Sequence, residues 1–171
     1  MLRAELIALD AAITRVCNQS NDRKIGRMFA IISRLGDGVF WYTLMLALPL
    51  ATGRWQIGVA MAVTGLCATW TYKLLKAGFK RLRPCETQHL HLTVEPLDRF
   101  SFPSGHTLHA VCFTVMACTV FPMLAWLLVP FTVLVALSRL VLGLHYPSDV
   151  LVGAAIGAGI GELGCRVFTL T

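Results

Sequence analysis

Apolar residues in this chain are grouped into long runs, and short polar segments separate one run from the next. The runs span residues 39–52, 55–75, 104–121, 124–142 and 148–168. A helix needs about 20 apolar residues to cross the hydrocarbon core of a bilayer. The first run is shorter than that, and we expect it to borrow a turn or more from residues 29–32. The pattern predicts an all-α integral membrane protein, a bundle of about five to six transmembrane helices.

The first 24 residues follow a different pattern. Apolar residues recur there at helical spacing, with charged residues between them, at Leu2, Leu6, Leu9, Ile13 and Val16. A helix of this kind can lie in the membrane interface with its apolar side toward the lipid. An amphipathic helix packed on the bundle would show the same pattern. We expect residues 1–24 to form an N-terminal amphipathic segment in the interface.

The composition also indicates a membrane environment. Of the 171 residues, 56% are hydrophobic and 14% are charged, whereas a soluble domain carries about 25% charged residues. The mean hydropathy is +0.68. The length predicts a single domain over residues 1–171. The net charge of +6 favours a bilayer and anionic lipid headgroups as partners over nucleic acid, because no arginine- or lysine-rich tail is present.

Cysteine and histidine spacing predicts no metal site and no cofactor. The six cysteines include no CxxC pair, and most lie in apolar runs, where a thiol is usually a small hydrophobe. His89 and His91 form a His-x-His pair. Two histidines without further clustered ligands make a poor metal site.

Three polar clusters interrupt the apolar pattern, and the first opens the long loop over residues 76–103. Lys76 and Arg83 stand seven residues apart there, and Pro84 follows. On a helix this spacing puts both cations on one face. An arginine fork and a compact lysine charge both suit phosphate oxygens. Basic residues at the end of a span also commonly snorkel to the interface.

The second cluster is Pro103, Ser104, Gly105 and His106, directly before an apolar run. It marks a helix start, whose free backbone N–H groups can hold an anion. Ser104 can add a hydroxyl donor, and His106 in the first turn can give or take a proton near neutral pH. A capped helix with an incidental histidine would have the same residues.

The third cluster contains Ser138, Arg139, His145 and Asp149. Arg139 falls inside an apolar span, where a charge implies a functional partner by default. A structural ion pair of Arg139 with Asp149 or Glu162 is the alternative. An aspartate four residues after His145 can accept from one ring nitrogen and leave the other nitrogen nucleophilic.

Counting five spans from the N-terminus puts all three clusters on one membrane face. Together they predict a phosphoryl-transfer site in which His145 attacks phosphorus, Asp149 orients it, and His106 protonates the leaving oxygen. The predicted phosphate-binding residues are Lys76, Arg83, Ser104, Gly105 and Arg139. Phosphoryl transfer needs mainly positioning and charge stabilisation, which these residues supply without a metal.

In this order, the clusters resemble the three signatures of the type 2 phosphatidic acid phosphatase (PAP2) superfamily: Lys-x6-Arg-Pro, Pro-Ser-Gly-His and Ser-Arg-x5-His-x3-Asp. The resemblance covers residues 76–149 without departure. It implies a membrane phosphatase that is independent of magnesium and forms a phosphohistidine on His145. It implies substrates such as undecaprenyl diphosphate, phosphatidic acid, phosphatidylglycerol phosphate or lipid A phosphates. Soluble vanadate-dependent haloperoxidases share this site, but they are much larger and less apolar.

Two further functions stay open at this point. A phosphotransferase with the same site would pass phosphate to another lipid instead of water, and its products would differ. A non-enzymatic membrane scaffold with a decayed site is disfavoured by the complete set of motifs. The oligomeric state is open as well, because Gly153, Gly157 and Gly161 form a small-xxx-small face that suits packing inside the bundle or homodimerisation.

Two arguments about sidedness conflict. The positive-inside rule puts the basic N-terminal segment, and with it the site, in the cytoplasm. Many of the bacterial enzymes that the sequence resembles work on the periplasmic face, and charges on helices that lie flat in the membrane are poor topology signals. We expect a bacterial inner-membrane protein with its active site facing the periplasm.

Overall fold

The computed structural model, which describes residues 2–88, 90–96 and 98–170 and side chains from residue 5 onward, contains eight α-helices and one 3-10 turn. The helices are α1 Leu2–Gln19, α2 Arg23–Leu35, α3 Val39–Thr52, α4 Trp55–Phe79, α5 Pro84–Thr87, α6 Gly105–Val120, α7 Ala125–Val141 and α8 Pro147–Val167, with the 3-10 turn Pro122–Leu124 before α7. Within these ranges, the β-structure consists of one isolated antiparallel bridge between Leu82 and Phe100. The predicted all-α bundle is confirmed.

Local sequence explains where the helices begin and end. The Asp22 side chain caps α2, since it accepts hydrogen bonds from the backbone N–H groups of Lys24 and Ile25, each over 2.8 Å. Gly38 has a φ of 124°, a conformation that favours glycine, and it separates α2 from α3. Pro122 ends α6 because it cannot continue the preceding helix.

Several segments have the length and composition to cross a bilayer. The 3-10 turn with α7, and α8 alone, pass on length and mean hydropathy, and α2 with α3 form a third candidate bent by 43°. This bent pair agrees with a first span that borrows residues 29–32. Helix α6 is apolar but only 16 residues long. The 25-residue α4 exposes a stripe of apolar side chains at helical spacing, at Val59, Val63, Leu66, Trp70 and Leu74.

The glycine face of α8 packs against α6 inside the bundle. A Cβ atom added to Gly153 would lie 2.7 Å from the carbonyl oxygen of Ser104, and one added to Gly161 would lie 2.8 Å from that of Cys112. A Cβ on Gly157 would collide with the carbonyl oxygen of Leu108. The backbones of α6 and α8 therefore touch along this face, and it is not available to a second copy of the chain.

Helix α1 turns its polar side toward the bundle. Thr14 and Asn18 are buried, whereas apolar residues of the same helix are exposed, at Leu6, Leu9, Ile13 and Val16. This is the reverse of a helix on a soluble protein, and it suits a helix whose outer face meets lipid. The contact with the bundle is made by polar groups rather than by the apolar face.

Candidate active site

A cavity of about 710 Å³ brings the three sequence clusters together. Six of the residues singled out in the sequence line it: Lys76, Arg83, Gly105, His106, Arg139 and His145. The wall formed by α3 and α4 is largely apolar and includes Trp41, Met45 and Leu66. Charged groups and an apolar surface therefore share one space, as a molecule with an anionic head and an apolar body requires.

Arg83 and His145 form the centre of this cavity. The Arg83 side chain is buried, and its Nη1 donates to the Leu144 carbonyl oxygen over 2.7 Å. The same Nη1 lies 3.2 Å from Nε2 of His145. Gly143, with a φ of 69°, turns the chain after α7, and the His145 backbone N–H then donates to the Arg139 carbonyl oxygen over 3.1 Å. This tight turn brings His145 close to the end of α7.

The other ring nitrogen of His145 faces Asp149. Nδ1 lies 3.6 Å from Oδ2 of Asp149, a distance longer than a hydrogen bond but close enough for electrostatic attraction. The Asp149 carboxylate is fully buried, and its Oδ2 accepts a hydrogen bond from the Tyr146 backbone N–H over 2.9 Å. Burial first, and then the positive charges of Arg83 and Arg139, lower the pKa of His145 well below its ordinary 6.5. The ring is therefore a neutral imidazole at neutral pH.

Arg139 directs its charge to the cavity rather than to a structural acid. It is buried in α7, and its Nη1 donates to the hydroxyl of Ser33 on α2. In the part of the chain that the structure describes, neither Asp149 nor Glu162 pairs with it, and Asp149 pairs with Arg81 instead. The structural ion pair considered from the sequence is therefore wrong.

The start of α6 contributes its backbone and His106. Gly105 and His106 line the cavity, and Nε2 of His106 lies against the carboxylate of Asp37. Ser104 lies one layer below the cavity wall, with its hydroxyl 3.0 Å from that of Thr107. Its predicted role as a hydroxyl donor to phosphate is not supported by this arrangement, since the hydroxyl does not reach the cavity.

Asp98 spans the two cations of the first cluster. Its Oδ2 lies 2.7 Å from Nζ of Lys76, and its Oδ1 lies 2.7 Å from Nη2 of Arg83. Burial raises the pKa of Asp98, but hydrogen bonds and charges from Lys76 and Arg83 outweigh burial and hold it below its ordinary 3.8. The carboxylate oxygens thus occupy places that suit the oxygens of an anionic substrate.

Four charged residues at or beside the site are absent from the sequence prediction: Asp10, Asp37, Arg81 and Asp98. Arg81 forms ion pairs with Asp149 and Asp10, each over 2.8 Å. Asp98 holds the predicted cations Lys76 and Arg83 in place, and Arg81 holds Asp149, the residue predicted to orient His145.

The structure describes one histidine of the His-x-His pair, His91. His89 lies outside the described residues. Among residues 2–88, 90–96 and 98–170, no group of three or more His, Cys, Asp or Glu side chains is placed to hold a metal ion. The backbone N–H of His91 instead donates to Oδ1 of Asn18 over 2.9 Å and ties the long loop to α1.

Comparison with known proteins gives a consistent result. Residues 53–169 match the model of the PAP2 superfamily. The undecaprenyl-diphosphatase of Sulfolobus acidocaldarius is 24% identical over 94% of this chain and 79% of its own length. The decaprenylphosphoryl-5-phosphoribose phosphatase of Mycobacterium tuberculosis is 32% identical over 77% of this chain and 74% of its own length. The crystal structure of a transmembrane PAP2-type phosphatidylglycerolphosphate phosphatase from Bacillus subtilis superposes with a TM-score of 0.81 at 25% identity, over 95% of this chain and 86% of that one.

Proposed function

The chain belongs to the PAP2 superfamily and is a membrane lipid phosphatase, and from this premise we propose that it hydrolyses a lipid phosphate or lipid diphosphate through a phosphohistidine on His145. One observation carries the proposal. Arg83, Arg139, His106 and His145 line a single cavity that also has a largely apolar wall between α3 and α4. A phosphate held by the two arginines would lie beside the neutral imidazole of His145, with the lipid tail along the apolar wall.

The proposed reaction has two steps, and His106 acts in both. Nε2 of His145 attacks phosphorus, the bond from phosphorus to the lipid oxygen breaks, and His106 gives a proton to that oxygen. Water then attacks the phosphohistidine, His106 takes its proton, and the N–P bond breaks to release phosphate. Lys76, Arg83 and Arg139 stabilise the charge on the non-bridging oxygens in both steps.

The substrate class follows from the apolar wall and from the relatives. Two relatives are named for undecaprenyl or decaprenyl lipids, and the solved structure is named for phosphatidylglycerolphosphate. Trp41, Tyr42, Met45 and Leu66 give the cavity an apolar side between α3 and α4, which suits either type of tail. We propose undecaprenyl diphosphate, or a phosphatidic acid- or phosphatidylglycerol phosphate-like lipid, as the substrate.

We also propose that the site faces the periplasm from a bacterial inner membrane. The positive-inside rule counts lysine and arginine in loops. Most basic residues before the first span lie instead on α1 and α2, and α2 packs on α7. A single cysteine at the exposed Glu95 in a cysteine-free chain tests this. Labelling by a membrane-impermeant maleimide in intact spheroplasts supports a periplasmic site, and labelling only after lysis contradicts it.

The activity is tested by phosphate release from the detergent-purified protein with EDTA present. The panel contains undecaprenyl diphosphate, phosphatidic acid, phosphatidylglycerol phosphate and lipid A. His145→Ala is the inactive variant, and His91→Ala is the matched control because the exposed His91 side chain lies outside the cavity. We expect release from at least one lipid, lost in the first variant and kept in the second.

Other outcomes separate the alternatives. No release from any of these lipids by folded wild-type protein would contradict the proposed hydrolysis. A phosphorylated acceptor lipid in place of free phosphate would identify a phosphotransferase. Activity that EDTA abolishes and magnesium restores would contradict the metal-independent mechanism.

A further inference from the structure

A charged network behind Asp149 connects the catalytic centre to the N-terminal helix. Oδ1 of Asp149 accepts from Nη1 of Arg81 over 2.8 Å, and Nη2 of Arg81 donates to Oδ2 of Asp10 over 2.8 Å. The Asp149 side chain has no exposed surface, and those of Asp10 and Arg81 are only 13% and 26% exposed. One guanidinium therefore bridges an acid beside His145 and an acid on α1.

Asp10 also binds the start of α8 directly. Its Oδ1 accepts from the Ser148 backbone N–H over 3.0 Å, and its Oδ2 accepts from the Ser148 hydroxyl. The same hydroxyl accepts from Nη1 of Arg81 over 2.7 Å. Because Ser148 immediately precedes Asp149, the Asp10 carboxylate holds two neighbours of Asp149. These are Arg81, which pairs with its side chain, and the backbone of Ser148.

Two further contacts, besides the two carboxylates, restrict the position of the Arg81 guanidinium. Its guanidinium carbon lies 3.9 Å from the centre of the Tyr146 ring, within the range of a cation–π contact. The Ser101 backbone N–H donates to the Arg81 carbonyl oxygen over 2.8 Å. With ring and backbone fixed, the two carboxylates determine the orientation of the guanidinium.

Helix α1 grips the other side of the His145 turn as well. Nδ2 of Asn18 donates to the Val141 carbonyl oxygen over 2.9 Å, at the last residue of α7. Asp10 binds the first turn of α8, so the polar side of α1 spans the gap between the two helices that flank His145. The N-terminal helix thus braces the turn from outside the cavity.

We propose that Asp10 is a positioning residue of the catalytic centre, which acts through Arg81 and Ser148 to hold the Asp149 carboxylate against Nδ1 of His145. The inference rests on the proposed function. Asp10 does not line the cavity, so it acts on the rate of the chemical step and not on substrate binding.

The test compares Asp10→Asn with Glu5→Gln, which removes the same charge from an exposed position on the same helix. We expect Asp10→Asn to lower kcat about tenfold, the lower end of what loss of an orienting partner costs at metal-bound histidines. KM should change by less than about twofold, because substrate contacts are intact. Glu5→Gln should match the wild type, and Asp10→Glu, which keeps the carboxylate, should recover part of the loss.

A double-mutant cycle separates positioning from general damage to the fold. In an Asp149→Asn background, the Asp10 substitution should have little further effect, because its route to His145 is already lost. Equal kcat values for Asp10→Asn and Glu5→Gln would overturn the inference, as would the same fold-loss in both backgrounds. If Asp10→Asn does not fold, Arg81→Lys is the variant to test. One ammonium group cannot bridge Asp10 and Asp149 as the Arg81 guanidinium does. An unchanged kcat in Arg81→Lys would then overturn the inference. No phosphate release by the wild type would instead contradict the proposed function.

Discussion

Nε2 of His145 lies 3.2 Å from Nη1 of Arg83. A guanidinium only donates hydrogen bonds, so Nε2 is the acceptor and the ring proton is on Nδ1, the nitrogen that faces Asp149. Burial, and then the charge of Arg83, lower the pKa of His145 well below 6.5. The cation that we propose to bind phosphate therefore also helps to keep Nε2, the proposed nucleophile, unprotonated at neutral pH.

This pKa shift predicts that the protein loses stability as the pH falls below 6.5. In that range the unfolded histidine takes up a proton and the folded one does not, so the free energy of unfolding decreases with falling pH. One such proton contributes about 1.4 kcal/mol per pH unit. The thermal midpoint in detergent, measured from about pH 7.5 down to about pH 5, should fall less steeply for His145→Asn. Equal slopes for the two proteins would contradict the assignment.

His106→Asn should slow the reaction most where the leaving oxygen needs a proton. General acid catalysis contributes about 100- to 10,000-fold. We expect a loss of at least about 100-fold on an alkyl lipid phosphate and a much smaller loss on p-nitrophenyl phosphate, whose leaving group is stable as an anion. Release of the leaving group in the first turnover measures this on both substrates, with His91→Asn as the control, because the later attack of water on the phosphohistidine is common to both. Equal losses on both would show that His106 is not the acid.

Asp98→Asn should make inorganic phosphate a stronger inhibitor. The Asp98 carboxylate lies across Lys76 and Arg83, and an anion must displace it to bind both cations. Hydrogen bonds to charged groups contribute about 1.5–3 kcal/mol, so we expect the inhibition constant to fall roughly tenfold. Glu95→Gln, in the same loop, is the matched control. An unchanged or higher constant for Asp98→Asn would mean that Asp98 positions the cations without competing with phosphate.

Gly157→Ala should destabilise the protein, and Gly159→Ala should not. A Cβ on Gly157 meets the Leu108 carbonyl oxygen, whereas a Cβ on Gly159 has no neighbour within 4 Å. Overpacking of this kind typically costs about 1–3 kcal/mol, while alanine at an open helical position is favoured over glycine by up to about 1 kcal/mol. The thermal midpoint should therefore fall below that of the wild type in Gly157→Ala, and should stay equal or rise in Gly159→Ala. A similar midpoint for both would contradict the close contact of α6 with α8.

The apolar runs predict the helix bounds correctly where every residue of the helix is apolar enough to belong to a run. Residues 39–52 were predicted as a run, and α3 spans Val39–Thr52. The run predicted over residues 55–75 ends too early, since α4 continues to Phe79. The apolar run stops before Lys76. The Lys76 side chain is buried and paired with Asp98, so the helix continues through this charged residue for one more turn.

The site could be predicted only where its residues carry a local signature. Lys76, Arg83, His106, Arg139 and His145 each belong to a short motif, and they line one cavity. The supporting ion pairs join residues far apart in the chain, and Arg81 lies 71 positions from Asp10 and 68 from Asp149. Such pairs depend on how α1 and α8 approach in space, which a single sequence does not encode.

One signal for Asp10 was present in the sequence. Asp10, Thr14 and Asn18 recur every fourth residue and form one polar stripe on a helix. In a helix whose other face meets lipid, such a stripe must turn inward to polar partners. The chain bears this out, because Asn18 is buried and Asp10 binds Arg81 and Ser148.

The central claim is that His145 carries the phosphate during turnover, and its most direct test is a search for that bond. Wild-type protein would be mixed with a radiolabelled lipid phosphate, quenched in alkali within a single turnover, digested, and its labelled peptide located by mass spectrometry. Phosphate on His145 that rises and then decays as free phosphate appears, and that is absent from His145→Ala, is the predicted result. Full release of phosphate by the wild type with no label on His145 at any time would contradict the account.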